Sequence, residues 1–263
     1  MGPVLMIAAA VVPSLLILRY FVKSDRFPEP TRAILGTFFL GVLIVIPVLV
    51  VALPLGAALE PRIGQPLALA GVQAFLLAAI PEEAFKLAVL LLYCRRHKAF
   101  DEPMDGLVYG VTASLGFATL ENLLYVVGGG EGWIGIAVLR AFTAVPGHAV
   151  LGAIMGFYVA RARFEPERAG AMLWAAFLVP MALHGLYDFG LLGAALTEEA
   201  GWIGLGLIVL IVEVVWALRL QRRLRREQQV LLSAQAAATL AQSPTPPVEL
   251  EPAPRSTSPY KID

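Results

Sequence analysis

Apolar residues in this chain come in long stretches divided by short links that hold most of the charge. Seven such stretches can be read, near Val4–Phe21, Ile34–Leu59, Leu67–Leu92, Met104–Val127, Trp133–Ala160, Gly170–Leu192 and Trp202–Leu218. Each is close to the roughly 20 residues that carry a helix across the hydrocarbon core of a bilayer. The pattern predicts an all-α polytopic membrane protein of about seven transmembrane helices. The first stretch lacks a basic segment ahead of it and reads as a retained helix rather than a signal peptide. The third and fifth hold Pro81 and Pro146, where a tilt or kink is expected.

The links alternate in charge. Those after stretches one, three and five carry Lys23, Arg26 and Arg32, then Arg95, Arg96 and Lys98, then Arg161, Arg163 and Arg168, and five arginines follow stretch seven from Arg219. The intervening links hold a single basic residue, Arg62, with Glu131, Glu198 and Glu199. Basic links stay on the cytoplasmic side, which puts the N-terminus outside and the C-terminus inside. Residues 1–218 then form one membrane domain, and 219–263 a basic interfacial segment followed, from Ser243, by a disordered cytoplasmic tail rich in Pro, Ser, Thr and Glu.

Composition agrees with this reading: 58% of the 263 residues are hydrophobic and 15% charged, with a mean hydropathy of +0.75. A formal net charge of zero supplies no basic surface for nucleic acid. The lone Cys94 excludes a disulfide framework, and its place beside Arg95 and Arg96 suggests a surface thiol.

Stretches three to six also carry polar side chains, and these are costly enough in a bilayer to mark a functional site. Ile80-Pro81-Glu82-Glu83-Ala84-Phe85-Lys86 puts two carboxylates within one helical turn of an ammonium. Adjacent carboxylates in a low dielectric resist double ionisation, so one can serve as a proton acceptor. A charge-compensated structural cluster is the plainer alternative. Phe117 and Glu121 share a face of the fourth stretch, with Asn122 beside them as a helix-to-helix hydrogen bonder. Glu121 is a further buried acid or an interfacial one. Asp105 reads as a first-turn cap, and Arg140 as the partner of Glu121 or Glu131. His148 follows Pro146-Gly147 and is a metal ligand, an acid or a core histidine, while Gly152 and Gly156 make a small-residue face. His184 and Asp188, four apart, allow the carboxylate to orient the imidazole. Buried singly, these groups would each carry a desolvation cost, so a connected network is expected. Counted from the outer ends, Glu82, His148 and His184 lie about 8 to 15 residues deep, on the order of 12–23 Å.

The ordered set Glu82-Glu83-x-x-Lys86, Phe117-x-x-x-Glu121, His148 and His184-x-x-x-Asp188, over residues 67–192, resembles the PrsW family of intramembrane proteases. That family is distantly similar to the CAAX-prenyl protease and bacteriocin-immunity membrane proteins. The first, second and seventh stretches neither strengthen nor weaken the likeness. The resemblance implies a multi-pass enzyme of the bacterial cytoplasmic membrane that cuts a single-span protein near the outer face, with an anti-sigma factor as one candidate substrate and the lipid bilayer as its medium. It carries catalytic roles onto Glu82, Glu83, Lys86, Glu121, His148, His184 and Asp188. In a glutamate-type mechanism, the form favoured here, Glu82 activates water while His184 with Asp188, or His148, steadies the oxyanion. In a zinc form, Glu121, His148 and His184 hold the metal and Glu82 or Glu83 is the base. An ion-coupled transporter or proton channel, and a noncatalytic binding protein, are the other classes that place such groups in a membrane.

Overall fold

The computed structural model describes residues 2–242, and the tail expected from Ser243 lies outside them. Among the described residues every regular element is helical. The helices are α1 (Gly2–Ser24), α2 (Thr31–Leu43), α3 (Val45–Leu59), α4 (Pro66–Gly71), α5 (Ile80–Leu92), α6 (Pro103–Gly128), α7 (Trp133–Phe142), α8 (Ala144–Phe164), α9 (Ala169–Thr197) and α10 (Gly201–Gln242). Six helical stretches are long and apolar enough to cross a membrane: 2–24, 31–62, 103–128, 130–164, 166–197 and 201–234. Residues 66–92, the third stretch of the sequence pattern, are helical throughout but change winding along the way. Among the described residues, 2–226 form one compact unit, and the rest of α10 from Glu227 falls outside it. Helix α10 has no break at Leu218, where the sequence pattern ends its seventh stretch.

Helix α6 is the axis of the first unit. Its most apolar window is 67% buried by protein, against 17–39% for the other five stretches. It starts on Pro103, whose missing N–H costs nothing at a helix start, and is capped reciprocally by Glu102 and Asp105. Asp105 is thus the cap that the sequence suggests. Glycines let α6 come close to two neighbours. A Cβ on Gly110 would sit 2.0 Å from the Gly152 carbonyl oxygen, and one on Gly156 only 1.9 Å from that of Gly106. The small face of Gly152 and Gly156 is therefore used within the chain, backbone against backbone. On the side facing α2, a Cβ on Gly41 would lie 2.1 Å from the Ala113 carbonyl oxygen.

Both prolines act as the pattern suggests, by different means. Ahead of Pro81 the chain is wound as a π-helix over Val72–Ala79. Proline has no N–H and its ring crowds the carbonyl four residues back, so a wider winding accommodates it. The Ile80 N–H accordingly reaches the Phe75 carbonyl, five residues back. The stretch 133–160 is not one helix. It breaks at Thr143, in a non-helical conformation (φ −124°, ψ −76°), three residues before Pro146.

Cys94 corrects the sequence reading, because it is fully buried. The chain tightens into a 3-10 turn over Cys94–Arg96, which places the thiol 3.3 Å from Thr37 Oγ1 and leaves Arg96 exposed and Arg95 partly so. Burial pushes this thiol up to about 12. In the link between α1 and α2, Glu29 is buried and accepts a hydrogen bond from the Tyr109 hydroxyl, and burial raises its pKa.

Candidate active site

The widened winding before Pro81 leads straight into the first turn of α5, where Glu82 and Glu83 are buried, as is Lys86 beyond them. One turn on, the Lys86 Nζ donates to Glu83 Oε1 at 2.7 Å and to Glu82 Oε2 at 3.2 Å. It also lies 4.4 Å from the centre of the Phe117 ring, brought in by α6. The two neighbouring acids differ in access. Glu82 lines a cavity of about 920 Å³ that opens between the helices, and Glu83, with no exposed surface, stands behind it.

Helices α8 and α9 close the cluster with a histidine each. The rings of His148 and His184 are 5.3 Å apart and perpendicular. His148 Nδ1 is 3.1 Å from Lys86 Nζ, and its Nε2 is 2.9 Å from Glu121 Oε2. An ammonium only donates, so Nδ1 is the acceptor and the Nε2–H points to Glu121. His184 lies among acids on both sides: Nδ1 faces Glu83 Oε1 at 2.9 Å, and Nε2 lies 3.3 Å from Asp188 Oδ2 and 3.9 Å from Glu82 Oε2. Each imidazole thus has an acid against its Nε2, Glu121 for His148 and Asp188 for His184. One ligand atom from each of Glu82, Glu83, His148 and His184 lies within 4.8 Å of the others.

Helix α9 reaches this position because residue 185 is glycine. A Cβ there would sit 2.3 Å from the Phe75 ring, on the π-helical turn. Arg140, at the end of α7, donates from Nη2 to Glu121 Oε2 at 2.6 Å and from Nε to Asn122 Oδ1 at 2.9 Å, and stacks 4.0 Å from the Tyr125 ring. The Arg140–Glu121 pair is the one expected from the sequence. Asn122 also donates across helices to the Ala10 carbonyl at 2.8 Å.

Comparison with known proteins gives the chain as a whole a family. A family model described as PrsW family intramembrane metalloprotease matches residues 29–218. Protease PrsW of Geobacillus kaustophilus is 42% identical over 188 residues, covering 71% of this chain and 80% of that protein. Protease PrsW of Bacillus subtilis is 38% identical over 199 residues, covering 75% and 85%. The chain belongs to the PrsW family of intramembrane metalloproteases. It is a multi-pass membrane protease. No solved structure matches it.

Seen as a PrsW protease, the chain brings together all seven residues singled out from its sequence, but not as the zinc reading of that sequence grouped them. Glu121 is absent from the four-residue donor cluster because its Oε2 is committed to His148 and Arg140, and the Glu82–Glu83 pair joins the histidines instead. The cluster fits a metal by its chemistry. Two imidazole nitrogens and carboxylate oxygens suit zinc, and acids behind each histidine are the usual orienting partners of such ligands. One residue escaped the sequence reading. Glu213 of α10 is 1% exposed and lines the same cavity. A lone acid in an apolar stretch was its only signal.

Proposed function

We propose that this PrsW protease cuts a single-span membrane protein near the outer face in a metal-dependent reaction, reversing the order in which the sequence ranked the two mechanisms. The observation that carries this is the buried group of two imidazoles and two carboxylates, His148, His184, Glu82 and Glu83, whose donor atoms lie within 4.8 Å of one another with a further acid beside each histidine. Residues 66–92 complete seven spans, and the basic links 23–32, 95–98 and 161–168 assign the N-terminus to the outside. The cavity then lies in the outer half of the bilayer, where an anti-sigma factor anchored by one helix is a fitting substrate.

In this reading Glu83, His148 and His184 hold the metal, because Glu83 is the carboxylate withdrawn from the cavity. When bound, the metal would polarise the scissile carbonyl and favour deprotonation of water. Glu82, on the cavity wall, accepts the proton of the attacking water and delivers it to the leaving amine. Lys86 holds the two carboxylates apart and fixes their rotamers through its bonds to both. Glu121 and Asp188 act through the histidines as positioning residues. The metal-free form has one observation in its favour: the Lys86 ammonium already sits against Glu82, Glu83 and His148, where it is a cation in its own right.

The test is cleavage of a library of single-span peptides by the protein reconstituted in lipid, read by mass spectrometry, with bound metal measured in the same samples. A defined cut by wild type with about one metal per chain, lost in Glu82→Gln with the metal retained and lost in His148→Ala together with it, is the expected result. Full activity in metal-free protein returns the glutamate mechanism.

A further inference from the structure

Five carboxyl side chains line the cavity: Glu60, Glu82, Glu121, Asp188 and Glu213. Four are engaged. Glu60 accepts from Gln73 at 3.0 Å, Glu82 pairs with Lys86, Glu121 with Arg140 and His148, and Asp188 with His184. Glu213 differs, since its Oε1 is buried and has no hydrogen-bond partner among the described residues. A buried acceptor left open is costly, and such atoms in folded proteins call for an explanation. The turn of α10 around Glu213 is firmly seated against the helices that carry the two histidines. Val209 and Leu210 pack on Tyr187, next to Asp188, and a Cβ on Gly147, next to His148, would touch Leu210 at 3.6 Å. Glu213 is therefore presented to the cavity from a fixed position.

What meets it follows from what must enter. A membrane span arrives as a helix with its N–H groups satisfied internally, and its peptide bonds become reachable only where the helix is unwound. Unwinding frees main-chain N–H groups in a region with little water, and each needs an acceptor. We propose that Glu213 is a substrate-binding residue that accepts one such N–H beside the scissile bond. This rests on the cavity being the proteolytic site. Its chemical consequence is a position in the substrate that must carry an N–H, so that proline or an N-methylated residue there is rejected.

The experiment uses a single-span peptide cut by wild type, N-methylated one position at a time for three residues on each side of the cut. With wild type, one position raises KM by about tenfold, the scale of losing one buried hydrogen bond. Glu213→Leu raises KM about tenfold on the parent peptide, leaves kcat within about threefold, and is indifferent to methylation at that position. Glu213→Gln keeps an oxygen acceptor and stays within about threefold of wild type. Thermal melting in detergent confirms that both variants fold, and leucine is the gentler change for packing. If Glu213→Leu keeps the wild-type methylation profile, or if both variants lose kcat with KM unchanged, the proposal is overturned while the protease reading stands. A wild type that cuts no peptide removes both.

Discussion

At the scale of single residues, the site turns on the acid set against each histidine. Glu121 stands against His148, and Arg140 holds Glu121 in place. On the metal-dependent mechanism proposed above, Glu121→Gln, which keeps an acceptor but removes the charge, is predicted to weaken metal binding by about 10- to 100-fold. Metal competition with a chelator reads this directly, and an unchanged affinity would remove Glu121 from the support of the site. Cys94 gives a second prediction. Its thiol is pushed up to about 12, so the thiolate stays scarce well above neutrality. Alkylation in the folded protein should stay far slower than that of an ordinary surface thiol between about pH 7 and 9 and keep rising about tenfold per pH unit, whereas an ordinary thiol begins to level off near pH 9. The catalytic candidates were legible in the sequence because charge inside a bilayer is too costly to be accidental. The inward burial of Cys94 was not, because it depends on a 3-10 turn and on Thr37 from a distant helix. Glu213 had the same signal as the others but no polar neighbours in sequence to draw attention to it.

At the scale of helices, hydropathy located the long apolar helices but not their internal breaks. Apolar length is insensitive to winding, so the π-helical turn before Pro81 and the break at Thr143 left no trace beyond the prolines themselves. These irregularities matter, since one delivers Glu82 and Glu83 and the other separates Arg140 from His148. Close packing around α6 is equally specific. Gly110→Leu would drive a side chain into the Gly152 carbonyl, and we expect it to destabilise the protein by about 3 kcal/mol or more, seen as a large fall in melting temperature. Gly204→Leu, on a glycine with open space around it, should leave melting unchanged. Equal melting of the two variants would count against the α6–α8 contact.

For the molecule as a whole, the alternating charge of the links makes orientation a measurable quantity. A cysteine replacing Glu131 should react with a membrane-impermeant maleimide in intact cells, and one replacing Arg168 only after lysis. Buried Cys94 provides a silent background for both. The reverse pattern would invert the topology and put the cavity in the cytoplasmic half. The glycine contact between α6 and α8 has a further consequence for how such an enzyme can be switched. Interlocked backbones with four-residue spacing, Gly106 and Gly110 against Gly152 and Gly156, admit neighbouring registers only in jumps of a whole turn, about 5.4 Å. A jump of that size would carry Glu121 out of reach of His148, which lies 2.9 Å away. Sliding along this seam is therefore closed as a route for any activating signal, which leaves tilting of the more thinly covered outer helices as the motion that can admit a substrate.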